Sequence, residues 1–339
     1  MKSDKMKTDR RNVLVTTTAL LAAGAVWAVP AAADDFPTRP IEVVVPFPAG
    51  GTTDVVARVF AERMEQELGQ PVVVENRAGG GGSVGADHVA RADADGHTLL
   101  FHNITFSATT TVMQHEGRAL HDIEEDFAPV SIAVLVPMLL LAHPDLEIET
   151  MEEFVELARE RGDAGEPLFY GTTGHGSIMN LVGEVIKSEA EIDMEHTPFP
   201  GAAPMVQDLL AGRVQFGGDQ LSTSFEHVLE DRLVGLAVLA DERNFALPDV
   251  PTVGEVGFDT LNLVGFNGFI APAGTPDDVI DRIHEAVVAA AEDPEVRQRM
   301  EGMGAVASGS TPEEFRQVLA EQVSQMRPLV ERFDIGMGN

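Results

Sequence analysis

Two glycine-rich segments carry the residues best suited to chemistry in this chain. The first is Pro46-Phe47-Pro48-Ala49-Gly50-Gly51-Thr52-Thr53-Asp54, and the second is Gly171-Thr172-Thr173-Gly174-His175-Gly176-Ser177. Each follows a short apolar run and precedes a segment with helical spacing. A helix start offers unpaired amides and a partial positive charge, and glycine lets a ligand come close to the backbone. Each such end contributes about 0.3–1 kcal/mol when exposed and about 2 kcal/mol when partly buried. Two of them facing one another, with hydroxyls from Thr52, Thr53, Thr173 or Ser177, would grip a carboxylate without Lys or Arg. Asp54 would repel such a ligand, so its expected role is to cap the first helix or to make a closing contact.

Other patterns suggest catalysis and fail on context. Gly80-Gly81-Gly82-Ser83-Val84-Gly85 matches a dinucleotide fingerprint, but Glu75 to Gly79 separate it from the preceding strand, and the next strand, ending at Phe101-His102-Asn103, lacks the acid that would hold a ribose. Gly81 to Gly85 also has the form of a nucleophile elbow, yet so long a loop would not hold Ser83 in a strained turn. A hydrolase or a nucleotide-binding enzyme using residues 79–85 is therefore the weaker alternative to a flexible turn. His115-Glu116 has no second His four residues on, and the ten His are scattered, so no metal site is expected. No catalytic group and no cofactor are expected either.

Composition narrows the classes further. The 339 residues are 44% hydrophobic and contain no Cys, which excludes a disulfide scaffold, a thiolate metal site and a disordered chain. The net charge is −32, and Lys occurs only at 2, 5, 7 and 187. With no basic run past residue 11, nucleic acid is excluded as a partner. Met1 to Arg11 is basic, Val13 to Val29 is mostly apolar or small, and Ala31-Ala32-Ala33 offers a cleavage site. That is the pattern of an export signal at 1–33. Arg10-Arg11 leaves the twin-arginine and the general secretory routes both open. Cleavage removes five basic and two acidic residues, taking −32 to −35.

The elements that must position the two turns alternate strand and helix. Ile41 to Val45, Val72 to Val74 and His97 to Phe101 read as buried strands, with helices from Thr52 to Leu68 and from about Val84 to Ala92. This order implies a parallel sheet with helices on its faces. Val130 to Ala142 is too long for one strand with a central proline, so the chain is expected to cross between domains at Pro137. Leu168 to Tyr170, His196 to Phe199, Val214 to Phe216 and Leu233 to Leu239 give further strands, and Pro204 to Ala211 a helix. Leu263 to Ala271 is a second candidate crossover. Thr150, Thr275 and Thr311 are expected to cap helices, and Leu319, Val323, Met326, Val330 and Phe333 form a docking stripe on the last one.

Together with these turns, other segments make the chain resemble a known family. Asp35 to Ile41 leading into Val45 to Asp54, Gly69 to Arg77 followed by the glycine run, Leu247 to Thr252, Ala271 to Pro276 and Ser310 to Phe315 are all similar to signatures of the substrate-binding receptors of tripartite tricarboxylate transporters, the Bug family. The resemblance covers essentially the whole mature chain in order. It implies an α/β, two-domain periplasmic binding protein of type II-like architecture, with two crossover strands and a ligand cleft between the domains. It also implies a small mono-, di- or tricarboxylate ligand, delivery to two integral membrane subunits driven by an ion gradient, and a monomer.

The expected divisions are 34–136 for the first part of domain 1, 137–264 for domain 2 and 265–339 for the return to domain 1. Carried over by resemblance, the ligand-binding residues are Phe47, Ala49, Gly50, Gly51, Thr52, Thr53 and Asp54; Asn103 and Ser107; Thr172, Thr173, Gly174, His175, Gly176 and Ser177; Gly201, Ala202 and Ala203; and Asp219. Phe199-Pro200-Gly201 stands where the family commonly has Tyr-Lys-Gly, Gln220 where it has Asn, and Asn180 where it often has His. A receptor that reports ligand to a signalling partner has the same site chemistry as one that feeds a transporter. In the grip reading, Ser177→Ala weakens binding and leaves the melting temperature nearly unchanged.

Near-absent Lys with abundant carboxylates also fits a protein adapted to high salt, where screening removes much of the self-repulsion. The mature protein is expected to melt at a lower temperature in dilute buffer than in molar salt. Equal stability in both would remove that reading.

Overall fold

A computed structural model describes residues 36–338. The expected export signal at 1–33 lies outside them. The first sheet begins with β1 (Ile41–Val45), α1 (Thr52–Leu68), β2 (Val72–Asn76), α2 (Ser83–Ala90), β3 (Thr98–Asn103), α3 (Ile104–His115) and β4 (Phe127–Leu135). β1 lies between β2 and β3 and is parallel to both, with Ile41 opposite Val72 and Val43 opposite Leu99. Its side chains alternate between two cores. Val43 and Val45 pack with α1, and Val44 packs with Leu100 on the opposite face, so a continuous β-branched run is what such a strand requires. α1 ends at Gly69, whose left-handed φ of 67° lets its N–H bond to the Glu65 carbonyl.

The chain leaves the first sheet at Val136-Pro137, as the central proline predicts, and enters the second as β5 (Met138–Ala142). There follow α4 (Met151–Asp163), β6 (Leu168–Thr172), α5 (Ile178–Glu189), β7 (Met194–Pro198), α6 (Ala202–Leu210), β8 (Phe216–Gln220), α7 (Phe225–Leu229) and β9 (Val234–Leu239). The chain then returns as β10 (Phe266–Pro272), followed by α8 (Asp277–Glu292), α9 (Pro294–Glu301), β11 (Val306–Ala307) and α10 (Pro312–Phe333). The sheet orders are β11-β4-β10-β3-β1-β2 and β7-β6-β8-β5-β9. The second sheet is built wholly from residues 138–239, inserted between β4 and β10 of the first, and each sheet has an antiparallel strand inside it, β10 between β3 and β4, and β5 between β8 and β9. The two crossings touch where the Val136 N–H bonds to the Gly265 carbonyl at 2.9 Å.

Several local expectations need correction. Thr275 does not cap α8; its hydroxyl donates to the Pro272 carbonyl, and Pro276 occupies the cap position. The strand expected at Val214 to Phe216 starts only at Phe216 and runs on through Gly217-Gly218-Asp219-Gln220. Those glycines are central because nothing larger fits: a Cβ on Gly218 would lie 2.5 Å from Met179 and 2.6 Å from the Leu139 carbonyl. Residues 104–107, read as part of a binding loop, are the first turn of α3. The capping boxes at Thr150 and Thr311 are both present, and Leu319, Val323, Met326 and Val330 of α10 are buried. No helix among the described residues is long and apolar enough to cross a membrane.

Candidate functional site

A cleft of about 500 Å³ is lined from both sheets. From the first come Phe47, Ala49, Gly51, Thr52, Thr53 and Asp54 after β1, Gly79 to Gly82 after β2, and Asn103 and Thr105 after β3. From the second come Thr173, Gly174 and His175 after β6, Phe199 to Pro204 after β7, and Asp219 and Gln220 at the end of β8. All of these lie at the carboxyl ends of strands, where an α/β sheet opens between its turns. Met337, beyond α10, completes the wall. Lys and Arg are absent from this lining.

Four helices begin at the cleft, and three of them start without a side-chain cap. α1, α2 and α6 have glycine caps at Gly51, Gly82 and Gly201, with no side chain accepting from their first amides. α3 is capped by Asn103, whose Oδ1 accepts from Thr105 N and whose Nδ2 donates to Thr53 Oγ1 at 2.9 Å. Away from the cleft, α4, α9 and α10 are capped by Thr150, Asp293 and Thr311. α8 also lacks a side-chain cap, but it opens away from the cleft. The N-termini of α1 and α6 therefore present amide donors and partial positive charge to one space, whereas the Ser83 and Val84 amides that open α2 bond to the Gly80 and Gly79 carbonyls.

Asp54 lines the cleft, yet its carboxylate is engaged. It accepts from Gly50 N at 3.0 Å, from Asn76 Nδ2 at 3.0 Å and from Arg58 Nε at 3.0 Å. Burial alone would raise its pKa, but Arg58, the Gly50 amide and Asn76 together hold it below the ordinary carboxylate range. Asn76 Nδ2 also donates to the Phe47 carbonyl at 3.1 Å, so the pair fixes the first turn. Gly50 lies outside the lining and serves the turn through its left-handed φ of 88° and its bond to Asp54.

The second turn divides in the same way. Thr173, Gly174 and His175 face the cleft, whereas Thr172, Gly176 and Ser177 stand behind it. Thr172 Oγ1 meets His196 Nε2 at 2.7 Å and receives the Gly174 amide. Burial, then His175, pushes the His196 pKa down to about 4. Ser177 is buried and caps α5 by accepting from Asn180 N, while Asn180 Oδ1 accepts from Gly176 N. Asn180 also donates to the hydroxyl of Tyr170, which in turn bonds to Glu184. Ser107 is likewise buried, inside α3 and outside the lining.

Asp219 differs from Asp54 because no cation faces it. It is 6% exposed, and among the described residues the one side chain bonded to it is Thr223, whose hydroxyl donates, beside the Gln220 backbone. Burial pushes its pKa up to about 6. The cleft thus holds one acid already neutralised by a guanidinium and another that readily takes a proton.

Ala78, the Gly79–Gly82 run, Pro204 and Met337 line the cleft outside the loops that the resemblance implies, while Thr105 and Gln220 line it within them. The glycine run was legible as a turn that needs backbone freedom, and its φ values of 142°, 55°, 64° and 105° bear that out. Ser83 stands at the start of α2, buried, and a Cβ on Gly80 would lie 2.3 Å from its Oγ. Among the described residues, no group of three or more acidic or His side chains is placed to hold a metal ion.

Comparison with known proteins places this geometry. The sequence profile of the tripartite tricarboxylate transporter family receptor matches residues 56–335. Of solved structures, the periplasmic binding protein BugD is 31% identical with a TM-score of 0.80, over 89% of this chain and 99% of its own. MatC from Rhodopseudomonas palustris, solved with bound malate, is 31% identical with a TM-score of 0.80, over 87% and 100%. The R. palustris protein Rpa4515, solved with adipate, is 29% identical with a TM-score of 0.80, over 89% and 99%. The two-lobed α/β architecture with paired crossings is thus that of periplasmic binding proteins.

Two outcomes follow from the site's geometry. Asp219 has a folded pKa near 6 against an ordinary 3.8, so the folded state holds a proton that the unfolded chain releases first. Its contribution to stability is full below about pH 4 and is lost as pH rises toward 6. Urea denaturation across pH 4 to 7 should show a decline in wild type that is flattened in Asp219→Asn. Parallel curves would show that another group titrates. Because Ser177 caps α5, Ser177→Ala should cost about 1 kcal/mol and lower the melting temperature by about 2 °C, rather than leave it unchanged. An unshifted melting curve would mean that the cap is replaced.

Proposed function

The chain belongs to the tripartite tricarboxylate transporter family of receptors, and we propose that its cleft captures a small carboxylate and presents it to the membrane subunits of such a transporter. The observation that carries this reading is the convergence of two glycine-capped helix starts, those of α1 and α6, on a space that, among the described residues, no Lys or Arg lines. Backbone amides there need acceptors, and a carboxylate supplies them at the positive ends of the dipoles. Thr52, Thr53 and Thr173 add hydroxyls from both lobes, and Asn103 orients Thr53. The malate and adipate held by the two R. palustris proteins agree with an acid of this size, and a cleft of about 500 Å³ accommodates either.

In this reading the lobes, divided at 137 and 265, close on the acid by a hinge at the paired crossings, and the receptor acts as a non-catalytic monomer. Export to the periplasm with cleavage after about Ala33 fits the family and the sequence pattern at 1–33. The membrane partner is two integral subunits powered by an ion gradient.

Thermal shift of the mature protein in high salt, against carboxylates, neutral sugars and nucleotides, tests the reading. A rise of several degrees with one carboxylate class, with the acid recovered unchanged, is the expected outcome. A rise with a nucleotide alone would overturn it. The mature chain has no Trp, and its one Tyr, Tyr170, stacks on His196 with ring centroids 4.9 Å apart behind the second turn. Titrations therefore need calorimetry rather than tryptophan fluorescence.

A further inference from the structure

We propose that the segment after α10 is a wall of the ligand site and that Met337 sets the length of the hydrocarbon portion the bound acid can have. The proposal rests on the carboxylate-receptor reading above. α10 ends at Asp334 in the left-handed region, and buried Ile335 turns the chain back by bonding its N–H to the Val330 carbonyl. The next three residues are seated against both lobes at close range. Met337 N donates to Glu116 Oε1 at 3.0 Å, just past α3 of the first lobe.

The neighbouring glycines let this segment and the second turn approach closely. A Cβ on Gly336 would lie 2.7 Å from that same Glu116 oxygen. A Cβ on Gly338 would lie 2.9 Å from the His175 ring, and Gly338 also has a left-handed φ of 72°. On the facing side, a Cβ on Gly176 would lie 2.5 Å from the Met337 sulfur. Gly336-Met337-Gly338 is thus wedged between Glu116 and the second glycine turn, with the Met337 side chain on the cleft wall beside His175.

The chemistry of that end differs from the helix-start end. A thioether offers no strong donor or acceptor, so it favours hydrocarbon and disfavours a second charged group lying against it. An unbranched side chain with three rotatable bonds also fills space that a longer ligand would need. Behind it, Thr109 Oγ1 reaches the Gly176 carbonyl at 3.4 Å and Val112 is buried, so the wall cannot retreat in that direction.

The test uses the mature chain, with malate and adipate as probes of short and long dicarboxylates. Calorimetry should show that Met337→Ala shifts the affinity ratio toward adipate by about fivefold or more, while Met337→Leu leaves it within about twofold. In wild type labelled at the methionine methyl carbons, the Met337 methyl resonance, identified by its loss in Met337→Ala, should move on saturation with the bound acid. A folded alanine variant with an unchanged ratio, together with an unmoved methyl, overturns the role of Met337 and leaves the receptor reading standing. If alanine unfolds the protein, an unmoved methyl, assigned through Met337→Leu, overturns it alone. Failure of wild type to bind either acid or any other carboxylate overturns the receptor reading and this proposal with it.

Discussion

The hydrogen bond from Val136 N–H to the Gly265 carbonyl is the point on which the two halves depend. The second sheet is inserted in sequence between β4 and β10 of the first, so the chain must cross twice, and the two crossings lie side by side. A Cβ on Gly265 would sit 2.1 Å from the Val136 oxygen, so the contact requires glycine for space rather than for an unusual φ. The end of β8 is tied to the same place. Leu221 N–H bonds to the Pro137 carbonyl at 2.9 Å, Gln220 Nε2 reaches the Phe266 carbonyl at 3.4 Å, and Asn267 Nδ2 donates to Gln220 Oε1 at 3.3 Å. The strand that carries Asp219 into the cleft is thereby anchored to the crossings.

Electrostatics explains why the lining is built from amides and hydroxyls. In a chain with a net charge of −32, the mean field opposes an approaching anion. A lining cation would offset this but would also pair with a neighbouring carboxylate, as Arg58 does with cleft-lining Asp54 at 2.8 Å. Helix starts cannot be drawn away in that manner, because their charge belongs to the backbone. Asp219 poses less fixed repulsion than an ordinary carboxylate, because burial pushes its pKa up to about 6 and so eases its entry into a closed cleft as the neutral acid.

What was legible in the sequence is what is local. The β1 turn and α1, the proline at the first crossing and both Thr capping boxes are written within a few residues of where they act, and the family signatures follow the same segments. α3 was not legible because Thr105, Thr109, Thr110 and Thr111 are β-branched and favour strands by propensity, and tertiary burial overrides them. β8 was misplaced because glycines in a strand read as a loop until Met179 and the Leu139 carbonyl are seen pressing on them. Of the cleft, the turns could be read, but which face of each points inward could not. Ser177 and Thr173 are four residues apart and differ only in what packs against them. Met337 left no signal, since its neighbours in space, Glu116 and Gly176, are far away in sequence.

The short turn Leu221–Thr223 gathers three of these constraints into consecutive residues. Leu221 holds the first crossing through Pro137. Ser222 Oγ meets Thr52 Oγ1 at 2.6 Å, joining the second lobe to the first turn of α1 in the other. Thr223 donates to Asp219, the one buried carboxylate of the cleft without a cation. A turn of three residues has few internal degrees of freedom, so its ends cannot move independently. The contact between the lobes, the first crossing and the hydrogen bond to the cleft acid thus meet in one turn, through one backbone bond and the hydroxyls of Thr52, Ser222 and Thr223.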